Sequence, residues 1–295
     1  MVLLHVVNLG ASIRSVASGR AGAFLLLLSL PLVSFGQGRG GRARSDTYLD
    51  DLRNQGMTWT IAPAFKTDVF TFARLKHNFG GGFGYGFRAS WAEDYPLADN
   101  MLSFRLQQIT SVQVNPEPQV IDIAKDDLML YPFVYLAGVE NIHFGETEAA
   151  ILRNYLLNGG FVMVDNFWGD AAWSNFAQQI KRVLPNHAPV ELPIAHPIFH
   201  CVYDFKTKPQ MPTAGVYRRF GIFYDPNRDY ETMTHEPHYF AVSDDKGRVV
   251  MLICHNNHFG DGWEHEGDDP VYFHTISEGM AYPMFINILF YAMAH

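Results

Sequence analysis

Two kinds of hydrophobic pattern alternate along the chain from about residue 68 onward. Short apolar runs, typical of strands buried on both faces of a sheet, occur at residues 131–138 and 161–165. Segments with apolar residues three and four positions apart, typical of helices, occur at residues 96–110, 145–158 and 170–185. Strands and helices that alternate with short connections predict a right-handed, mostly parallel sheet with helices on both sides.

Further strands are predicted on either side of this central alternation. The aromatic segment DVFTFARLKH at residues 68–77 is a candidate first strand, and SVQVN and QVIDI are short strands or extended edges. The segment YFAVSDDKGRVVMLICHNN has two strand-like runs around a turn, which predicts an antiparallel hairpin. Residues 278–295 predict a closing helix with Pro283 in its first turn. The predicted fold class is an α/β three-layer sandwich with a mostly parallel sheet and a hairpin near the C-terminus.

Residues 1–36 have the layout of a secretory signal peptide. Arg14 and Arg20 precede an apolar run of about 15 residues, which is shorter than the roughly 20 that a membrane-spanning helix needs. An uncleaved N-terminal anchor is the alternative. Residues 37–57 then form a basic linker and a short helix, and residues 58–295 form the α/β domain. We therefore expect an exported protein, periplasmic or extracellular, with no membrane span after signal cleavage.

Charge and cysteine content narrow the classes of partner. Without the signal peptide, 20 of the 22 Lys and Arg residues remain against 30 Asp and Glu residues. No cluster of basic residues follows the linker, which argues against nucleic acid as a partner. The acidic balance favours neutral or cationic ligands. Cys201 and Cys254 both lie in strand-like apolar runs, and either a disulfide or two separate buried thiols are consistent with that placement.

Five segments together resemble a known bacterial family. They are FTFARLKH, YPFVYLAG, LRNYLLNGGFVMVDN, AHPIFH and NNHFGDGWE. In this order they resemble the domain-of-unknown-function family 4159 (DUF4159), over about residues 58–295. The resemblance implies a flavodoxin-like sandwich similar to class I glutamine amidotransferases and to the trehalose-utilisation type of protein, and it implies no activity. Ala195 stands where the resemblance implies an acid, which weakens the assignment of His196 to an acid–histidine pair.

Polar residues that follow the predicted strands are the first candidates for a site. Ligands of open parallel sheets bind beyond the carboxyl ends of the strands. The strand at residues 161–165 is followed there by Asn166, Trp168 and Asp170, which we predict to be ligand-binding. Asp165 itself and His143, which follows the preceding strand, are the catalytic candidates. The alternative is that Asp165 or Asn166 only satisfies the backbone of a turn.

Three common chemistries lack their signatures. Amidotransferases carry a nucleophilic cysteine on a sharp turn after a strand, but here the buried strands continue into LAGVEN and VDNFWG. No Gly-x-Ser-x-Gly elbow of a serine hydrolase occurs. The run GGGFGYG does not match the glycine spacing of a dinucleotide site, and we expect an aromatic loop over the end of the sheet. Thiol-based glutamine hydrolysis therefore has no nucleophile at the expected position.

The segment CHNNHFGDGWEHEGDD is rich in histidines and acids. Imidazole and carboxylate groups within reach of each other can bind a divalent ion. The metal candidates are His255, His258, Asp261 and His265. The alternative is a polar connection in which Asn256, Asn257 and Trp263 contact a polar ligand such as a saccharide. Arg74 in the first strand is a further ligand-binding candidate for an anion, unless it ties a loop to a carboxylate.

Two functions are consistent with these residues. The first is an exported, non-catalytic domain that binds a polar small molecule or saccharide, or that assembles with cell-envelope proteins. The second is a metal-assisted hydrolase or carbohydrate-processing enzyme, with Asp165 or His143 as the base and an ion held by the histidine-rich segment. No cofactor is established by the sequence, and a divalent metal is the one under consideration. Metal analysis of the purified protein discriminates between the two functions, and the most useful structural observation is whether Asp165, His143 and His258 share one pocket.

Overall fold

The computed structural model describes five stretches of the chain. These are residues 58–65, 68–77, 90–221, 236–265 and 269–295. The predicted signal peptide, the linker with its short helix and the run GGGFGYG lie outside the described residues. Within the five stretches, no helix combines the length and the apolar character needed to cross a membrane.

A seven-stranded sheet forms the centre of the fold. Its strands are β1 (Ala73–Lys76), β2 (Gln119–Asp122), β3 (Phe133–Ala137), β4 (Phe161–Asp165), β5 (Val190–Glu191), β6 (His238–Ser243) and β7 (Val249–His255). Their order across the sheet is β2-β1-β3-β4-β7-β6-β5. The pairs from β2 to β7 are parallel, whereas β6 is antiparallel to both β7 and β5. The predicted mostly parallel sheet and the C-terminal hairpin are confirmed, and the antiparallel part includes β5 as well.

The two strands with the clearest apolar runs, β3 and β4, are parallel neighbours. Phe133 lies opposite Phe161, and Ala137 lies opposite Asp165. Every residue of both strands is buried, because helices cover both faces of the sheet at this point. Asp165 therefore ends a central strand, at the carboxyl edge of the sheet.

Helices connect the strands and close the chain. They are α1 (Leu97–Ile109), α2 (Glu146–Leu157), α3 (Gly169–Val183), α4 (Ala214–Phe220), α5 (Phe259–Glu264), α6 (Pro270–Tyr272) and α7 (Tyr282–Ala294). A nine-residue π-helical segment, Phe273–Ala281, joins α6 to α7. The closing helical region therefore begins at Pro270 rather than at residue 278. The side chain of Asp269 caps this earlier start by accepting hydrogen bonds from the backbone N–H groups of Val271 and Tyr272.

Two hydrophobic cores lie on opposite faces of the sheet. In β3, Phe133 and Tyr135 pack in the core formed with α1, α5 and α7, which we name the α1 face. Val134 and Leu136 pack in the core formed with α2 and α3, which we name the α2 face. Because side chains alternate along a strand, Asp165 lies on the α1 face together with Met163.

The two cysteines are separate free thiols. Cys254 in β7 is fully buried, whereas Cys201 is exposed in the segment before α4. The sulfhydryl of Cys201 donates a hydrogen bond to the carbonyl of Asn287 over 3.2 Å. The two cysteines are therefore separate thiols, as in the second alternative. Only Cys254 is buried, whereas Cys201 lies at the surface.

Candidate functional site

A group of acidic side chains surrounds one histidine at the carboxyl edge, on the α1 face. Its members come from the segment before α1, from the end of β4, from the β7–α5 loop and from α5. We name it the acid–histidine cluster, and it consists of Glu93, Asp94, Asp165, His258, Asp261 and Glu264. Parallel strands explain the meeting point, since β4 and β7 are neighbours that end at the same edge.

His258 lies at the centre of this cluster and is only 3% exposed. Its Nε2 is 2.8 Å from Oδ2 of Asp94. Its Nδ1 is 3.5 Å from Oδ2 of Asp261 and has no hydrogen-bond partner among the described residues. Burial alone would lower the pKa of His258, but the charges of Asp261 and Asp94 outweigh it and raise the pKa well above its ordinary value. The cluster therefore stabilises a positive charge at this position.

Asp165 is fully buried and uses only one of its two oxygens. Oδ2 accepts hydrogen bonds from the hydroxyl of Tyr135 over 2.7 Å and from the backbone N–H of Phe259 over 2.8 Å. Oδ1 has no hydrogen-bond partner among the described residues. Burial raises the pKa of Asp165 to about 6, against the opposing charge of His258. Asp165 therefore connects α5 to β3 through Oδ2, and Oδ1 is a buried acceptor without a hydrogen bond among the described residues.

Asp94 is held in a specific backbone geometry. It has a φ of 60°, which is uncommon for a residue other than glycine. Its Oδ2 would lie 2.2 Å from a Cβ placed on Gly260, so only glycine leaves room for the carboxylate there. The charge and hydrogen bond of His258 outweigh burial and lower the pKa of Asp94, whereas burial and Asp94 raise the pKa of Glu264. The two shifts are opposite in direction, so negative charge is favoured on Asp94 over Glu264.

Arg74 supports the segment that presents Glu93 and Asp94. It is fully buried, and its Nε and Nη2 donate hydrogen bonds to the carboxylate of Asp99 in α1. Its Nη1 donates to the backbone carbonyls of Trp91 at 3.0 Å and Glu93 at 3.1 Å. The structure thus gives the second of the two interpretations of Arg74, a tie between a loop and a carboxylate.

Several predicted residues lie in or next to the cluster. Asn166, which follows β4 with a φ of 58°, donates from its side chain to Oε2 of Glu93 over 2.8 Å. His258 and Asp261 are members of the cluster. His265 is at its edge, with Nε2 3.7 Å from Oδ1 of Asp261 and Nδ1 3.3 Å from Nη2 of Arg218. The sequence therefore predicted one strand end and one loop that do meet in space.

Other predicted residues lie elsewhere around the sheet edge. His143 is exposed in the connection between β3 and α2, outside the buried cluster. Trp168 is half-buried immediately before α3, and Asp170 is exposed in the first turn of that helix. Trp263 is fully buried in the aromatic core of the α1 face, where it packs on Tyr135 and on other rings. Asp165 and His258 thus share one site, and His143 is not part of it.

The remaining residues of the histidine-rich segment contact backbone and rings. His255 lies on the α2 face, 4.8 Å from the ring of Phe167, with Nε2 3.2 Å from the carbonyl of Gly169. The side-chain oxygen of Asn256 accepts from the N–H of Gly169, and that of Asn257 accepts from the N–H of Met211. These three side chains organise the loops that surround the cluster.

The sequence analysis did not predict Glu93 and Asp94 as site residues, and Glu264 was part of the histidine-rich segment without being one of its metal candidates. Glu93 and Asp94 lie in the segment WAEDYP, between the glycine-rich run and α1. One local signal could have indicated them: Glu93 and Asp94 are adjacent acids, and they lie between the predicted aromatic loop and the predicted helix at residues 96–110. The contact that matters joins Asp94 to His258 across 164 positions of the chain, and no local pattern reports it.

Among the residues that the structure describes, two groups of three side chains have the composition of metal ligands. Glu93, Asp94 and His258 each place one potential ligand atom within 4.8 Å of the others, and so do Asp261, Glu264 and His265. Carboxylate oxygens and imidazole nitrogens together suit zinc and other divalent transition metals. Either group could hold one ion.

Comparison with known proteins identifies the family alone. No curated protein matches the chain. A family model matches residues 71–293, a range that includes the whole sheet and every member of the cluster. The chain therefore belongs to the family described as a domain of unknown function, DUF4159.

Proposed function

We propose that this chain is an exported protein that binds a small, polar, positively charged ligand at the acid–histidine cluster. The scaffold we propose is flavodoxin-like and of the amidotransferase type. The order of the parallel strands supports it, because β2-β1-β3-β4-β7 reads as 2-1-3-4-5 when those strands are counted alone. The cluster lies at the carboxyl edge, where such folds bind their ligands.

The charge of the cluster is the observation that carries the proposal. Five carboxyl groups interact electrostatically with the single imidazole of His258. Asp94, Asp165 and His258 are all at least nine-tenths buried, so water screens their charges weakly. One protonated imidazole and one protonated Glu264 leave an excess of negative charge. A cationic ligand at this position would relieve the repulsion between the remaining carboxylates.

The cysteines support a function other than thiol chemistry. Cys254 lies in β7, and burial together with the nearby charge of Asp165 raises the pKa of its thiol well above the ordinary value. A nucleophilic cysteine requires the opposite shift, toward the thiolate. Cys201, the exposed thiol, lies against the last helix, where its sulfhydryl donates to the carbonyl of Asn287.

Pairs of small polar ligands that carry opposite charges test the proposal. Thermal unfolding is measured with glucosamine and glucuronate, and with ethanolamine and glycolate, after treatment of the protein with a chelator. We expect at least one cationic member to raise the unfolding temperature, and the Glu93→Gln variant to lose most of that rise. Stabilisation by the anionic members would contradict the proposal, and so would the absence of stabilisation by any cationic member and by any divalent metal ion.

A metal-assisted hydrolase or carbohydrate-processing enzyme is the second candidate. It is favoured by the three potential ligand atoms of Glu93, Asp94 and His258, and by the pKa of Asp165, which burial raises to about 6. A carboxylate with such a pKa is suited to act as a general base near neutral pH. Turnover of simple ester or glycoside substrates that a chelator abolishes would support this candidate over binding alone.

A further inference from the structure

We propose that the positive charge bound by the cluster is a single divalent metal ion, held by Glu93, Asp94 and His258. This inference rests on the proposed function, and it adds the class of the ligand and the residues that bind it. The three side chains come from two segments that the fold brings together, the one before α1 and the one between β7 and α5.

The geometry of the three ligand atoms fits one ion. They lie within 4.8 Å of one another, and ligands at about 2.1 Å from a metal lie roughly 3 to 4 Å apart. Nε2 of His258 and Oδ2 of Asp94 are 2.8 Å apart, so a widening of a few tenths of an ångström would let one ion bind both atoms. The ion would take the place of the proton between these two atoms, and Glu93 would complete the set from the solvent side.

The other nitrogen of His258 faces a carboxylate. Its Nδ1 is 3.5 Å from Oδ2 of Asp261. Histidines that bind a metal through one nitrogen generally donate the N–H of the other to a carboxylate, carbonyl or water, which fixes the ring and its tautomer. Asp261 is itself fixed, because its Oδ2 accepts a hydrogen bond of 2.6 Å from the N–H of Ala214.

Buried atoms without a hydrogen-bond partner provide an independent observation. Among the described residues these include Oδ1 of Asp165, which is fully buried, and Nδ1 of His258, which at 3.5 Å from Asp261 does not form a hydrogen bond with it. Native proteins satisfy the large majority of their buried polar atoms, and exceptions are associated with functional sites and bound ions or water. Both atoms belong to the cluster, which distinguishes it from an ordinary group of surface acids.

The second group of potential ligands is less suited to a cation. Nη2 of Arg218 donates to Nδ1 of His265 over 3.3 Å, which places a guanidinium charge beside Asp261, Glu264 and His265. The basic residue next to the first group is Arg74, whose guanidinium is bound by Asp99 and by two carbonyls. The ion is therefore expected at the first group.

Metal binding is measured with the metal alone. Zn²⁺ and Mn²⁺ are titrated separately into chelator-treated full-length protein by calorimetry, and the bound metal is counted by mass spectrometry after dialysis. We expect one ion per chain and at least a tenfold weaker affinity in the Glu93→Gln and His258→Gln variants. Glu93 is exposed, so its variant tests the proposal even if His258→Gln does not fold.

Matched controls separate this site from the other histidines. We expect His265→Gln, in the second group, and His255→Gln, on the α2 face, to bind the metal within about twofold of the unmodified protein. No binding by the unmodified protein, or equal affinity in Glu93→Gln, would overturn the inference. If the cationic organic ligands bind in that case, the proposed function stands without the metal. If they do not bind, both proposals fail.

Discussion

His255 and His258 are three residues apart in the segment CHNNH, yet they lie in opposite environments. His255 ends β7 on the α2 face, where its ring packs at a tilt against Phe167 and its Nε2 lies 3.2 Å from the carbonyl of Gly169. His258 lies on the α1 face between the carboxylates of Asp94 and Asp261. Both are buried, so burial does not distinguish them. Their neighbours distinguish them. His255 contacts aromatic rings and a backbone carbonyl, whereas His258 lies between two carboxylates.

The alternation of side chains along β7 explains this difference. Residues of β7 point to the two faces in turn, and His255 follows the parity of Ile253 on the α2 face. After His255 the chain turns through Asn256, which has a φ of 58°, and returns to the α1 face before α5. A histidine-rich segment can therefore serve two faces of one sheet, and sequence proximity alone does not define a metal site.

The largest expected effect is the replacement of Arg74, a buried arginine on the α1 face, and a half-buried arginine on the α2 face gives the comparison. Replacing Arg74 with Leu leaves Asp99 as a buried charge without its partner, and we expect a loss of about 3–5 kcal/mol in the free energy of unfolding. Arg153, in α2, is half-buried and donates to two carbonyls at the end of α3, so Arg153→Leu should cost about 1–2 kcal/mol. Urea unfolding measures both. Equal losses would contradict the view that a buried ion pair on the α1 face contributes more to stability than the hydrogen bonds of Arg153 on the α2 face.

The pH dependence of stability provides a second test of charge on the α1 face, through the carboxyl group of Asp165. Burial raises its pKa to about 6, so the folded protein binds this proton more tightly than the unfolded chain does. The carboxyl therefore contributes most to stability below about pH 4, and the contribution falls as the pH rises through about 6. Relative to Asp165→Asn, the unmodified protein should lose about 3 kcal/mol between these limits. The free energy of unfolding of both proteins across pH 4–7 measures this loss, and a constant difference would contradict it.

The same variant bears on the role of Asp165. An asparagine retains an oxygen that can accept from Tyr135 and Phe259. Asp165→Asn should therefore keep the fold, and it should abolish activity if Asp165 is a base. A variant with unchanged activity would leave Asp165 with its positioning role.

A smaller loss of stability is expected from a substitution at Gly260, whose backbone lies close to the carboxylate of Asp94. A Cβ at position 260 would lie 2.2 Å from Oδ2 of Asp94, so Gly260→Ala should cost about 1–3 kcal/mol. Gly215 in α4 has open space around it and serves as the control, with a gain of about 0.4–1 kcal/mol for Gly215→Ala. Chemical unfolding measures both variants. A neutral Gly260→Ala would show that the carboxylate of Asp94 moves freely, which would weaken the case for a preformed site.

The smallest effect is expected on the α2 face. His255→Phe retains a ring against Phe167 and Trp173 but loses the contact with the carbonyl of Gly169. We expect a loss of about 1 kcal/mol or less in thermal or chemical unfolding. A loss above 3 kcal/mol would mean that the hydrogen bonding of His255 contributes far more to stability than the single contact with Gly169 explains.

The sequence predicted those parts of the fold and site that local patterns encode. Continuous apolar runs specified β3 and β4, and the end of a buried strand specified where Asp165 and Asn166 lie. Local patterns do not report which face a residue takes after a turn, so His255 and His258 received the same prediction. Nor do they report long-range partners, so Glu93 and Asp94 were missed although the carboxylate of Asp94 lies 2.8 Å from His258. Arg74 had two interpretations because its partner, Asp99, lies 25 residues away.

A crystal structure of the protein soaked with Mn²⁺ or Zn²⁺, with anomalous scattering recorded, tests the central claim most directly. The account predicts one anomalous peak bonded to Glu93, Asp94 and His258, and none at His255. A peak at Asp261, Glu264 and His265 instead, or no peak in the cluster at saturating metal, would contradict it.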